Sequence, residues 1–132
     1  MSRMSVELSG TDTLLRKLAI GGAPVARALA RAIYEEANEV FRESQMQVPY
    51  RTGALAGSGM VNLPAIDASG NILVEIFYGG AAAPYALWVH EDRDRNFRNG
   101  RKAKYLYDPM MLRVGIMGKN VMSRVEDMLK VA

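Results

Sequence analysis

The chain contains 132 residues, of which 49% are hydrophobic and 23% are charged, and its net charge is +3. This composition is that of a globular protein, and the length suits one domain spanning 1–132. The chain has no cysteine, which excludes disulfides and cysteine metal sites. No apolar run approaches the roughly 18 residues that a membrane span needs, and the N-terminus lacks the apolar core of a signal peptide. We therefore expect a protein made and used in the cytoplasm.

The first twenty or so residues are predicted to form a strand and a short helix. The pattern from Met4 to Leu8 is typical of a strand with its apolar residues on one side. The leucines at 14, 15 and 18 then predict a short amphipathic helix, which the Gly21–Gly22 pair ends.

A long helix is predicted from Pro24 to about Met46. Proline fits the first turn of a helix, where its missing N–H group would have no partner in any case. From residue 25 the apolar residues recur at helical spacing, while charged residues occupy the other faces. The apolar stripe consists of Val25, Leu29, Ile33, Ala37, Val40 and Phe41.

A structural turn is predicted directly after this helix, at Pro49, Thr52 and Gly53. Pro49 disfavours helical geometry in the residue that precedes it, and Gly53 can adopt a positive φ. We expect the Thr52 side chain to hydrogen-bond to the local backbone. The turn would then fix the angle between the long helix and the following sheet.

Two strands are predicted next, at Leu55–Leu63 and Ile72–Phe77. The second strand is rich in β-branched residues, with apolar side chains at alternate positions. A turn at Asp67–Gly70 separates the two strands. We therefore expect an antiparallel hairpin.

The C-terminal third is predicted to end in a second amphipathic helix. Tyr85–His90 is short and apolar and fits either a strand or a helical turn, and Tyr105–Tyr107 is expected to return to the sheet. Asp108 and Pro109 have the residue types of an N-cap and a first helical position. The helix, at 109–131, has an apolar stripe that consists of Met111, Val114, Val121, Met122, Val125, Met128 and Leu129.

Segment 93–104 carries six basic residues and one acidic residue, and thus a charge of +5. It has little apolar surface to anchor it, and we expect a protruding, mobile loop. Three roles remain open: an arm that binds an acidic protein surface, an arm that binds nucleic acid, and a solvated loop without a partner. The basic residues are Arg93, Arg95, Arg98, Arg101, Lys102 and Lys104.

The predicted fold is α+β: a small antiparallel sheet packed against the long helix and the C-terminal helix, with a protruding basic loop. Within this fold His90 is the single histidine. A metal site needs three or four converging ligands, and a Ser-His-Asp site needs its base beside a serine. We therefore predict a non-enzymatic protein without metal or cofactor, and interpret His90 as the polar end of an apolar segment.

Several short motifs follow one another in a distinctive order. The sequence V-P-Y-R-T-G-A-L, at 48–55, comes directly after the long helix, and Tyr78-Gly79 follows it. Ala83-Pro84-Tyr85-Ala86 and Val89-His90-Glu91 come next, and Lys104-Tyr105-Leu106 opens the C-terminal helix. This order resembles the tail-completion family of tailed bacteriophages, whose members are also described as head–tail joining proteins or minor tail components. The resemblance covers nearly the whole chain.

The resemblance implies a structural virion protein at the head–tail junction, assembled in the host cytoplasm. Such a subunit forms a homo-oligomeric ring, with six-fold symmetry expected, that caps the tail and meets the neck. Its implied partners are neck or connector proteins and tail tube or terminator proteins, with genome DNA passing through the ring and no membrane contact. The alternative from a different class is a small nucleic-acid-binding protein that uses segment 93–104. DNA binding that weakens with salt would favour that alternative.

Overall fold

A computed structural model describes residues 3–7, 12–50, 53–93 and 101–131, with side chains described in 24–50, 53–93 and 101–130. The predicted α+β class is confirmed. The elements of the described residues are β1 (Arg3–Glu7), α1 (Asp12–Gln47), α2 (Ala54–Gly57), β2 (Met60–Val61), β3 (Ala65–Ile66), β4 (Ile72–Leu73), β5 (Glu75–Gly79), α3 (Ala86–Glu91) and α4 (Tyr107–Val131).

The larger sheet is antiparallel and has the strand order β1-β5-β2. Met4 of β1 pairs with Tyr78 of β5, and Met60 of β2 pairs with Phe77. Strands β3 and β4, which lie between β2 and β5 in the sequence, form a separate antiparallel hairpin. The predicted alternation around 72–77 is confirmed, because every second side chain from Ile72 to Tyr78 is buried. The single strand predicted there is divided at Val74 into β4 and β5, which belong to different sheets. This register directs one face of β5 into the core.

The prediction of two N-terminal helices was wrong. Helix α1 continues from Asp12 through Gly21–Gly22 and Pro24 without interruption. Pro24 has no N–H group to donate to the carbonyl of residue 20, and each glycine costs about 1 kcal/mol relative to alanine. Alanine, the strongest helix former, occupies 19, 23, 26, 28, 30 and 32, and it offsets these costs. The predicted end near residue 46 is confirmed, since α1 ends at Gln47.

The predicted strand at 55–63 is present only as the two-residue β2. The residues before it form α2, in which Leu55 is buried. Gly59 then passes so close to α1 that a Cβ atom there would lie 2.7 Å from the rings of Phe41 and Tyr78. Only glycine fits this close to the two rings. Strand pairing therefore begins after Gly59, at Met60.

Helix α1 contacts β2, β5 and the C-terminal helix α4. Tyr105 and Leu106 do not return to the sheet as predicted but form a buried turn at the start of α4. The Tyr105 ring packs edge-on against Tyr78 at a centroid distance of 5.1 Å, and its hydroxyl donates to the Ala86 carbonyl at 2.8 Å. These contacts join the turn to both the sheet and α3. Among the described residues, no helix combines the length and the apolar character needed to cross a bilayer.

Candidate protein-interaction site

The C-terminal end of the basic segment is folded onto the end of α1. The Arg101 guanidinium donates to the carbonyl of Gln45 at 2.5 Å and approaches that of Val48 at 3.4 Å. The backbone N–H of Lys102 donates to the carbonyl of Gln47 at 2.9 Å. The last carbonyls of a helix lack partners within the helix, and the negative end of its dipole favours cations. Arg101 therefore acts as a tertiary C-cap of α1.

Lys102 and Lys104 are also engaged with the chain itself. The Lys102 ammonium pairs with Asp108, and the Lys104 ammonium pairs with Glu91 and lies 5.6 Å from the centre of the Tyr107 ring. The expectation that all of 93–104 protrudes was therefore wrong for 101–104. Carbonyls at the end of α1 and the carboxylates of Asp108 and Glu91 hold residues 101–104 in place. The prediction considered only the lack of apolar residues in the segment and so missed these polar contacts.

The other three cations of the segment lie in different situations. Arg93 is exposed directly after α3. Arg95 and Arg98 lie outside the described residues. Of the six predicted partner-binding residues, Arg93 is thus the one that the described part of the chain shows facing solvent without a role in the fold.

The structural turn after α1 has the predicted backbone at its glycine. Gly53 has φ of +85°, and a Cβ atom there would lie 2.8 Å from the Tyr50 hydroxyl. Pro49 is partly buried beside the fully buried Val48. Thr52 lies outside the described residues. The turn is therefore a position where only glycine combines the required φ with the available space.

His90 is a buried side chain that joins α3 to α4. Its Nε2 atom accepts a hydrogen bond from the backbone N–H of Tyr107 at 3.2 Å, and its Nδ1 atom lies 3.2 Å from a Glu91 carboxylate oxygen. Burial lowers the pKa of His90, although Glu91 acts in the opposite direction. The neutral ring thus accepts from the Tyr107 N–H group, which lies at the start of α4 and has no acceptor within that helix. The sequence left this segment open between strand and helical turn; it forms α3, and the bond from His90 to α4 was not predicted.

A second buried ionisable group, Glu36, joins α1 to α4. Its side chain is 0% exposed and accepts hydrogen bonds from Arg113 at 3.2 Å, Asn120 at 3.0 Å and Arg124 at 3.0 Å. Arg124 also pairs with Glu35 at 2.8 Å. Burial by itself would raise the pKa of Glu36, but the three donors outweigh it and the pKa is lowered.

This cluster was not predicted, although the sequence contains a signal for it. The three donors of α4 lie seven and four residues apart, which places them on one side of a helix. Within the described side chains, no group of three histidine or acidic residues is arranged to hold a metal ion. The Glu36 cluster therefore holds α1 and α4 together through hydrogen bonds and ion pairs.

The buried side of α4 differs from the predicted apolar stripe, most of all in its first half. Val121 and Val125 are buried as predicted, but Met111 and Val114 are about half exposed and Leu129 is 41% exposed. The reason is that Glu36 draws polar donors of α4 inward and so turns the apolar stripe partly towards solvent. The apolar residues buried along α4 are Met110, Met117, Val121 and Val125.

The first half of α4 consequently presents a large apolar surface to solvent, which we call the α4 face. Leu112 is 75% exposed, and the other four apolar residues of this surface are each about half exposed. Large exposed apolar surfaces on proteins often mark sites of protein or ligand contact. The α4 face consists of Tyr107, Met111, Leu112, Val114 and Ile116.

Comparison with protein-family models, with curated proteins and with solved structures finds no match for the chain. Function must therefore be inferred from the surfaces that the fold presents. In the described part of the chain, the buried carboxylate of Glu36 and the buried ring of His90 both hold helices in place. The α4 face is an exposed apolar surface to which the described fold assigns no such role.

Proposed function

We propose that this chain is a structural protein of a tailed bacteriophage that assembles at the head–tail junction. It forms a homo-oligomeric ring, six-fold in the simplest arrangement, that joins the tail to the neck or connector and surrounds the path of the genome. Its mechanism is the formation of interfaces, without a chemical step. The observation that carries the proposal is the α4 face.

The composition of the α4 face supports a role in assembly. Tyrosine and methionine are enriched at protein interfaces, whereas lysine and glutamate are depleted there. The face contains one tyrosine, one methionine and three aliphatic residues over the first ten residues of α4. Seven residues after Ile116, on the same side of the helix, Ser123 is exposed and polar. The exposed apolar residues of α4 are thus concentrated in its first half, with Leu129, 41% exposed, near the other end.

The order of motifs gives further support. The P-x-x-T-G turn follows the long helix directly, and its glycine, Gly53, has a positive φ. The Y-A-x-x-V-H-E segment contributes His90, which caps α4. Both motifs therefore have structural roles that a family of assembly subunits would need, although neither motif is specific by itself.

The alternative of a nucleic-acid-binding protein depends on the basic segment. Three of its six cations, Arg101, Lys102 and Lys104, are engaged with α1, Asp108 and Glu91. Fewer cations then remain to contact phosphates, which lowers both the affinity and its salt dependence. This engagement favours the assembly subunit. Measurable DNA binding by the purified protein that weakens steeply between 50 and 200 mM salt would favour the alternative.

The proposal is tested by deleting the gene from the phage that encodes it and examining the lysate by electron microscopy. We expect separate filled heads and complete tails, which join when purified protein is added. The double substitution Leu112→Glu and Ile116→Glu should abolish this joining, because it places two charges on the α4 face. Ser123→Glu is the matched control and should restore joining like the unchanged protein. Joined, infectious particles without the gene, or with the double substitution, would contradict the proposal.

A further inference from the structure

Three polar contacts hold the start of α4 against the last turn of α3. The backbone N–H of Lys104 donates to the His90 carbonyl at 2.7 Å, and the backbone N–H of Tyr107 donates to Nε2 of the His90 ring at 3.2 Å. The third contact is the ion pair between the Lys104 ammonium and the Glu91 carboxylate. His90 and Glu91 thus hold both ends of the turn 104–107, which leads into α4.

The backbone at Lys104 is strained. Its φ of +56° makes it the one residue other than glycine with a positive φ in the described part of the chain. A residue with a Cβ atom adopts this conformation uncommonly, and keeps it where surrounding contacts fix it. For Lys104 these contacts include the bond to the His90 carbonyl and the pair with Glu91. Weaker contacts to α3 would therefore favour a different backbone conformation at this residue.

The His90 ring is enclosed, and the charged groups that act on it lie on α3, in the turn and on α4. The ring is buried, and the Tyr105 ring packs edge-on against it at a centroid distance of 5.0 Å. Burial lowers the pKa of His90 and the Lys104 ammonium acts in the same direction, whereas Glu91 and Asp108 raise it. The net effect is a pKa below the ordinary value, so the ring is neutral at pH 7.5.

Protonation of the His90 ring would remove its bond to Tyr107. A neutral imidazole has one nitrogen that accepts, whereas both nitrogens of the charged ring carry a proton. The Nε2 proton would then face the Tyr107 N–H, with the two donor nitrogens 3.2 Å apart. The charged ring would also compete with Lys104 for the Glu91 carboxylate, since Asp108 already has a lysine partner. Two of the three contacts between α3 and the turn are thus lost or weakened.

We propose that the junction of α3 and α4 is a pH-sensitive switch, in which protonation of His90 releases Lys104 and Tyr107 from α3 and opens the first turn of α4. The Tyr105 hydroxyl keeps its bond to the Ala86 carbonyl, so the change is local and the fold persists. Tyr107 belongs to the α4 face, and the switch therefore alters one end of that surface. The proposal does not depend on what the α4 face binds.

Nuclear magnetic resonance of untagged, isotope-labelled, full-length protein tests the switch. His90 is the single histidine, so one imidazole Cε1 proton signal reports its protonation. From pH 7.5 to pH 5.0 we expect the backbone amide signals of Lys104 and Tyr107 to shift with the same midpoint as that proton. Their protection from hydrogen exchange, corrected for the intrinsic effect of pH, should fall several-fold. The amide of Lys102, which bonds to Gln47 on α1, is the internal control and should keep its protection.

Variants separate the switch from a general effect of pH. Glu91→Gln removes a charge that favours the protonated ring, so the midpoints of the ring and of both amides should move together to lower pH. Glu126→Gln, which removes an exposed carboxylate further along α4, should leave the midpoints unchanged. In His90→Gln the fall in protection at Lys104 and Tyr107 should disappear.

Four results would overturn the proposal. The first is a ring that becomes protonated while the Tyr107 amide keeps its protection. The second is a folded protein in which the ring stays neutral down to pH 5.0. The third is an unchanged fall in protection in His90→Gln, and the fourth is a separation of the ring and amide midpoints in Glu91→Gln.

Discussion

The Glu36 carboxylate of α1 and the Arg124 guanidinium of α4 meet inside the helix pair, with Arg124 Nε donating to a Glu36 oxygen at 3.0 Å. Glu36 is 0% exposed, and Arg113 and Asn120 satisfy its remaining acceptor positions. An ion pair at this depth specifies how α4 is rotated about its axis, because only one rotation brings all three donors to the carboxylate. That rotation also determines which apolar residues of α4 face solvent.

The first prediction concerns the removal of this charge. Glu36→Gln should lower the free energy of unfolding by about 3–5 kcal/mol, because two partly buried guanidinium groups lose their counter-ion. Glu39→Gln is the matched control on the same helix. Its ion pair with Arg42 is largely exposed, so a loss of less than about 1 kcal/mol is expected. Urea unfolding measures the stability of both variants. Equal midpoints for the two would show that the ion pairs of Glu36 do not stabilise the fold.

The second prediction concerns pH and His90. Burial holds the pKa of His90 below its ordinary value of 6.5. Below pH 6.5 the unfolded chain binds a proton that the folded chain does not, so this contribution to stability is complete above pH 6.5 and is lost as pH falls through the folded pKa. The charged groups around the ring are Glu91, Lys104 and Asp108, and the carboxyl group of Glu91 has a lowered pKa, so that it titrates below this window.

The measurement is urea unfolding of untagged protein at pH 7.5 and pH 5.5. The unchanged protein should be less stable at pH 5.5, and His90→Gln, which retains an acceptor but does not titrate in this range, should lose most of that difference. His90 is the single histidine of the chain, so no other histidine contributes. The same loss of stability in both proteins would assign the effect to another group.

Part of the fold followed from local pattern alone. The alternation from Ile72 to Phe77 predicted strand structure where β4 and β5 lie, and the proline after Val48 located the end of α1. The positive φ of Gly53 was also predicted from its place after a helix break. Each of these features depends on residues that are close in sequence, where propensity and steric rules act directly.

Features that depend on distant partners were missed. The exposed part of the α4 stripe follows from Glu36, some eighty residues earlier in the chain, which no periodicity within α4 can report. Arg101 looked like part of a free arm because its acceptors, the carbonyls at the end of α1, are 53 and 56 residues away. In both cases a charged residue that would ordinarily face solvent is engaged inside the fold.

The third prediction tests the turn at Gly53. Gly53→Val should lower the free energy of unfolding by about 1–3 kcal/mol, because a β-branched residue at positive φ is strained and would also meet the Tyr50 ring. Gly57→Ala is the control, since a Cβ atom there meets nothing within 4 Å and its effect should be small or stabilising. Thermal unfolding of both variants provides the comparison. An unchanged melting temperature for Gly53→Val would count against the turn as a fixed element.

The fourth prediction tests Arg101 as the C-cap of α1. Arg101→Glu should lower the free energy of unfolding by about 1–3 kcal/mol, because a hydrogen bond from a charged donor is lost and a carboxylate is placed beside helix carbonyls. Arg93→Glu reverses an exposed charge in the same segment and should change stability by less than about 0.5 kcal/mol. If urea unfolding gives the two variants equal midpoints, Arg101 belongs to the solvated part of the segment and not to the fold.

We propose above that the chain is a ring-forming subunit of the head–tail junction, and its α4 face would then be covered on assembly. The most direct measurement is a cryo-electron microscopy reconstruction of the intact virion of the phage that encodes it. We predict that density at the junction accommodates a ring of copies of this fold, with Leu112 and Ile116 buried against a neighbouring neck or tail protein. A virion that lacks the chain at the junction, or a ring in which the α4 face lies open to solvent, would contradict the account.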